Sequence, residues 1–139
     1  MTFVDVNYIT VLVTGIVGFI IGALWYSPVL FGKQWMEFSG ISSKKMKEMK
    51  KNGMAMQMII GFIATLLTSF ILANFIVFAG ATTALTGLKL AFWIWLGFVF
   101  PVQLGMVLWE GKSPNLLVIN ASHQLVMLIV MGTMLGLWA

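Results

Sequence analysis

Val6–Gly32, VNYITVLVTGIVGFIIGALWYSPVLFG, runs for 27 residues without a formal charge. About 20 apolar residues at 1.5 Å rise per residue cover a hydrocarbon core roughly 30 Å thick, so this run is long enough for one transmembrane helix. Pro28 disfavours helical geometry at Ser27, and Gly32 follows as a second breaker, which ends the helix near residue 28. A cleaved signal peptide does not fit. The residues ahead of the run contain no lysine or arginine, the run is much longer than a signal core of roughly 7–15 residues, and no small-x-small site closes it. A retained helix is expected.

Three more uncharged runs follow: Asn52–Leu88, Leu90–Trp109 and Ser113–Ala139. Together they predict helices at about 8–28, 54–78, 88–109 and 114–138 within a single domain. Hydrophobic residues make up 60% of the 139 positions and charged ones 9%. A soluble domain carries about 25% charged residues, so this chain lacks the charge to coat a water-facing surface. The expected fold is an all-α integral membrane four-helix bundle in the cell membrane. Inside the third run Pro101 should kink the helix and free a carbonyl near Gly97. Ser113-Pro114 reads as N-cap and first helical residue of the fourth helix.

The Lys33–Lys51 connector is the one sizeable polar segment, with six of the eight lysines and the two acids Glu37 and Glu48. From Lys44 its residues favour a short helix, either interfacial or an extension of the second span, with Met46 and Met49 on one side. Trp35, Met36 and Phe38 suit the headgroup layer. Positive residues in short loops face the cytoplasm. With the N-terminus outside, seven lysines lie inside and Lys89 alone lies outside, so both termini are expected outside, with a basic cytoplasmic loop between helices one and two. Membrane lipids, with anionic headgroups at this loop, are the expected partner of the charge. Nucleic acid is not, since no aromatic-interleaved soluble surface exists. Cysteine and arginine are absent, which removes disulfides and thiolate metal sites.

Polar side chains within the spans should point inward, because burying them in hydrocarbon costs free energy unless they find partners. At 100° per residue, Asn120, His123, Gln124, Met127, Met131 and Met134 share one face of the fourth helix. Gln103, Met106, Val107 and Glu110 form a stripe on the third. Gly61, Thr65, Thr68 and Ser69 line up on the second, with Asn74 pointing away. Gln103, Asn120 and His123 fall at similar heights above the Gly111–Ser113 turn. They predict a polar layer between the cytoplasmic face and the midplane, with Trp25, Tyr26 and Glu110 near its mouth. Gly18/Gly22 and Gly132/Gly136 are small-xxx-small pairs suited to close helix packing, within the chain or between copies.

His123 is the single histidine. Its unperturbed pKa of about 6.5 suits a proton carrier, and an interhelical hydrogen bond to Gln103 or a backbone carbonyl is the structural alternative. One histidine with thioethers makes a weak metal or haem site, so no metal is expected, and the sequence leaves any cofactor open. Glu110 is expected to be solvated or paired with Lys112. The 11 methionines read as adaptable packing.

Ala23-Leu24-Trp25-Tyr26-Ser27-Pro28, then Phe31-Gly32-Lys33 and Trp35, followed by Trp109-Glu110-Gly111 and Ile119-Asn120 with His123, resemble the family known as domain of unknown function 1761. The resemblance extends over nearly the whole chain. It implies a four-helix membrane protein, mostly bacterial, carries no established activity, and singles out Trp25, Tyr26, Pro28, Glu110, Asn120 and His123. Three functional classes remain. The inward polar layer and the glycine faces favour a small homo-oligomeric transporter or channel-like protein. An accessory subunit of a larger membrane complex needs only the packing faces. A membrane enzyme is weakest, for no nucleophile–base pair or paired carboxylate appears.

Overall fold

The computed structural model describes residues 5–139, and no strand occurs among them. Helix α1 spans Tyr8–Trp25, α2 Gly32–Ser39, α3 Ser43–Lys51 and α4 Ala55–Phe78. A long helix follows in three parts: α5 (Ala84–Ile94), a π-helical segment (Trp95–Val99) and α6 (Phe100–Glu110). Helix α7, Pro114–Leu137, completes the chain. Tyr8–Trp25, Ala55–Phe78, Ala84–Glu110 and Pro114–Leu137 are each long and apolar enough to cross a membrane. The all-α, four-helix architecture is the one the uncharged runs predict.

Local side-chain chemistry sets the helix starts. Asn7 Oδ1 accepts from the backbone N–H groups of Ile9 and Thr10. Ser113 Oγ accepts from Asn115 N–H while Pro114 takes the first helical position, so the predicted cap is present. Thr83 and Thr86 form a reciprocal capping box. Because that box satisfies orphan donors early, the third span starts at Ala84 rather than near residue 88.

The exit from the first span differs from expectation. Helix α1 stops at Trp25, and Phe31 N–H donates to Trp25 O while Leu30 and Gly32 N–H both donate to Ser27 O. This tight turn folds the chain back under the bundle. Gly32 is not a breaker; it is the first residue of α2. A Cβ there would lie 2.5 Å from Tyr26 O and 2.8 Å from Ser27 O, so the close approach admits only glycine. Helix α3 is capped by Ser42 and separated from α4 by Asn52 and the left-handed Gly53, φ +87°. It is thus a separate short helix and not an extension of the second span.

Pro101 lies just beyond a local change of helix type. Lacking an N–H and crowding the carbonyl four residues back, it is preceded by the π-helical turn, in which Phe100 N–H reaches Trp95 O. Widened turns of this kind take up an interrupted hydrogen-bond ladder.

Helix α7 packs against α1, α4, α5 and α6 and forms the axis of the bundle, with its most extensive seam on α5. That seam is backbone against backbone. A Cβ on Gly87 would overlap the carbonyl oxygen of Gly132, one on Gly132 would lie 2.6 Å from Ala91 Cβ, and one on Gly136 would overlap Thr83 O. The α1 seam differs, because side chains fill it. A Cβ on Gly18 would lie 2.7 Å from Met131 Sδ, and one on Gly22 would lie 3.1 Å from His123 Nε2. Both glycine pairs are therefore occupied within one chain, and neither is free to receive a second copy.

Helix α4 closes the far side. Ser69, fully buried, donates to Val11 O at 2.9 Å. Asn74, set on another face of α4 from the Gly61–Ser69 stripe, is buried as well, with 2% exposure, and its amide donates to Phe70 O. The third span is the least enclosed, with Trp93, Phe98, Val102 and Trp109 exposed. In a bilayer such a surface meets lipid tails.

Candidate functional site

The turn after α1 delivers two aromatic side chains to α7 at one level. Trp25 Nε1 donates to Ile119 O at 3.0 Å, and the Tyr26 hydroxyl donates to Asn120 Oδ1 at 2.7 Å. From the opposite side Trp95, at the start of the π segment, donates from Nε1 to Ala121 O at 2.9 Å. Helix carbonyls have a second lone pair to spare, so these indoles hold α7 without breaking its ladder. Three successive residues of α7 are thereby held from α1 and from the π segment.

His123 lies just above this level. Its ring meets Tyr26 edge-on, with centroids 5.1 Å apart, and Trp25 at 6.2 Å. The histidine is 8% exposed, and neither Nδ1 nor Nε2 has a hydrogen-bond partner among the described residues. The expected bond to Gln103 is not made, because the imidazole faces α1 at Gly22 while Gln103 faces the space below. An interhelical hydrogen bond therefore does not account for this histidine. Buried polar nitrogens without partners are uncommon and costly. Above them Met127 and Met131 are buried and Thr14 and Ser69 fully buried, so a packed layer separates this level from a second cavity of about 250 Å³ at the other end, lined by Asn7, Thr10, Ala73, Leu135 and Trp138 among others.

Below the histidine a cavity of about 730 Å³ opens between the bundle and the folded-back helices α2 and α3. Tyr26, Gln103, Asn120 and Gln124 form its bundle side. Pro28 and Gly32 shape the turn at its edge, while Trp35, Met36, Met46, Met49 and Met54 contribute apolar surface. Lys33, Lys47 and Lys50 are exposed at its margin, and no acidic side chain among the described residues lines it.

The residues singled out by sequence thus separate. Tyr26, Gln103, Asn120 and Gln124 meet at the cavity, with Trp25 and His123 packed immediately behind Tyr26. Glu110 does not join them. It is exposed at the last position of α6 and does not line the cavity. Met106, on the same stripe, is exposed too. The lysines and methionines of α2 and α3 were missed as cavity residues. Their one legible signal was the Met46/Met49 pair on a single side of a lysine-rich helix. No group of three or more histidine, cysteine or acidic residues capable of holding a metal ion occurs among the described residues.

A family model described as Protein of unknown function (DUF1761) matches residues 9–136, and the chain belongs to that family. No curated protein and no solved structure matches it.

Proposed function

Starting from that family membership, we propose that the chain is a small membrane transport protein whose polar cavity receives a solute from the lysine-rich side of the bilayer, taken as cytoplasmic. The cavity itself carries this reading. A space of about 730 Å³ reaches from the folded-back helices to an amide and phenol layer inside the spans, within the roughly 300–1,000 Å³ usual for ligand sites. A packed layer of Thr14, Ser69, Met127 and Met131 lies between this cavity and the smaller one at the other end, which fits an alternating-access carrier better than an open channel. His123, buried at the inner end with both nitrogens unbonded, is the group placed to couple a proton to that movement.

One four-helix bundle encloses little space, so self-association remains part of the proposal. Since both glycine faces are filled, a second copy would have to meet another surface. Native mass spectrometry from mild detergent would give the copy number. The accessory-subunit alternative finds its support in the third span, where apolar side chains stand exposed. It requires a larger protein to co-purify.

Flux decides between them. Purified protein in liposomes, driven by an imposed potassium diffusion potential, should take up protons faster than protein-free liposomes, and both His123→Gln and His123→Ala should lose that uptake. Uptake equal to the protein-free control would refute proton-coupled transport. The orientation is tested separately by cysteines at Ser43 and Thr83. The first should resist an impermeant thiol reagent in intact cells and the second should label; the reverse pattern inverts the topology.

A further inference from the structure

The charge lining the cavity is one-signed, whereas the connector that supplies it is mixed. Helices α2 and α3 hold Glu37 and Glu48 among six nearby lysines, yet the cavity margin takes Lys33, Lys47 and Lys50 and neither acid. The walls behind those lysines are methionines and Trp35, each half-buried and turned to the space. At the inner end lie neutral hydrogen-bonding groups: the Gln103 and Gln124 amides, and the Tyr26–Asn120 pair. Cationic edge, apolar wall and polar floor meet in one volume.

We infer that this cavity binds an amphipathic anion, with a phosphate or carboxylate head held at Lys33, Lys47 and Lys50 and an apolar body lying against the methionines. Each ingredient has a physical reason. Ammonium groups at a membrane surface attract an anionic head. Methionine's flexible thioether adapts to an apolar body of irregular shape. The Gln103 and Gln124 amides offer donors without adding charge. Helix α3 buries no residue of its own and is bounded by the left-handed glycines Gly40 and Gly53, so it can shift to admit a ligand without disturbing the spans. This inference names a ligand class for the cavity of the transport proposal and rests on the same site. It does not require flux.

The lysines themselves supply the control. Lys33, Lys47 and Lys50 line the cavity, whereas Lys44, Lys45 and Lys51, on the same connector, do not. The triplets carry equal charge, so diffuse attraction to the membrane surface would weaken equally on losing either one.

Binding is read by tryptophan fluorescence of the purified full chain in neutral detergent, without any gradient, using oleoyl lysophosphatidic acid as the probe. Saturable binding is expected, about tenfold weaker or more in Lys33→Gln/Lys47→Gln/Lys50→Gln and within about twofold of the parent in Lys44→Gln/Lys45→Gln/Lys51→Gln. All six lysines are exposed, so both variants should keep the parent's melting temperature. Equal weakening in both triplets, or equal binding of oleoyl lysophosphatidylcholine, would overturn the inference. Glycerol 3-phosphate separates a lipid-like ligand from a free phosphate ester. Failure to compete assigns the site to the amphiphile, and competition at matching concentration overturns the apolar half. Liposomes without flux but with triplet-dependent binding would remove the transport reading and leave the site. Flux together with equal weakening of binding in both triplets would do the opposite.

Discussion

Helix α7 meets its two principal neighbours in opposite ways. On the α5 side, Gly87, Gly132 and Gly136 bring backbone onto backbone and leave no room for a side-chain atom. On the α1 side, Gly18 and Gly22 leave gaps that Met131 and His123 enter. The first seam has one arrangement, because a main-chain carbonyl cannot move aside. The second is made of a flexible thioether and an imidazole with no hydrogen bond, and side chains can re-pack. Rigidity thus collects on one face of the axial helix, and unspent chemical capacity on the other.

The comparison is most exposed at the glycines. Gly87→Ala should destabilise the protein by about 3 kcal/mol or more, since its Cβ would overlap the Gly132 carbonyl oxygen. Gly18→Ala should cost only about 1 kcal/mol, because the atom it meets is the sulfur of Met131 at 2.7 Å. Thermal unfolding in one detergent measures both. Equal losses would show that the two seams are equally rigid.

His123→Met sharpens the same contrast. It removes two buried nitrogens that make no hydrogen bond, so stability should stay within about 1 kcal/mol of the parent or rise. Proton uptake by the liposomes should nevertheless disappear. A loss of several kcal/mol would mean that the imidazole holds the seam together.

Tyr26→Phe is the smallest change expected. It deletes the hydroxyl that donates to Asn120 Oδ1 at 2.7 Å. Interhelical hydrogen bonds of this kind contribute about 0.6 kcal/mol and seldom more than roughly 2. A melting-temperature shift as large as that of Gly87→Ala would relocate the rigid contact from the glycines to the phenol.

Sequence revealed the parts of this molecule that depend on local chemistry. Four spans follow from uncharged length, and the Ser113-Pro114 start follows from cap geometry, so neither needs tertiary contacts to be read. The grouping of Gln103 with Asn120 and His123 at one level is also accessible, through similar heights above one turn, and Gln103 and Asn120 do meet at the cavity. Direction was harder. Periodicity fixes relative angles on a helix but not which neighbour each face meets, so it offers Gln103 or a backbone carbonyl as the partner of His123, whose ring in fact faces Gly22. Gly32 was misread for a related reason. A glycine needed because a carbonyl passes close to it looks, in one dimension, like a glycine that ends a helix. The cavity depends on that turn, so its lysines stayed invisible.

The π-helical turn at Trp95–Val99 also settles a question of phase. Counted as an unbroken α-helix, Gln103 would sit about 120° around the axis from Ala91 and point away from α7. If the wide turn absorbs one residue, the difference shrinks to about 20°, and Gln103 shares the face of Gly87, Ala91 and Trp95. The segment therefore behaves as an insertion already accommodated. Deleting Gly97, whose surroundings are open, would shorten the helix by one residue yet keep both halves aligned. The same deletion outside the segment would rotate one half against the other by about 100°.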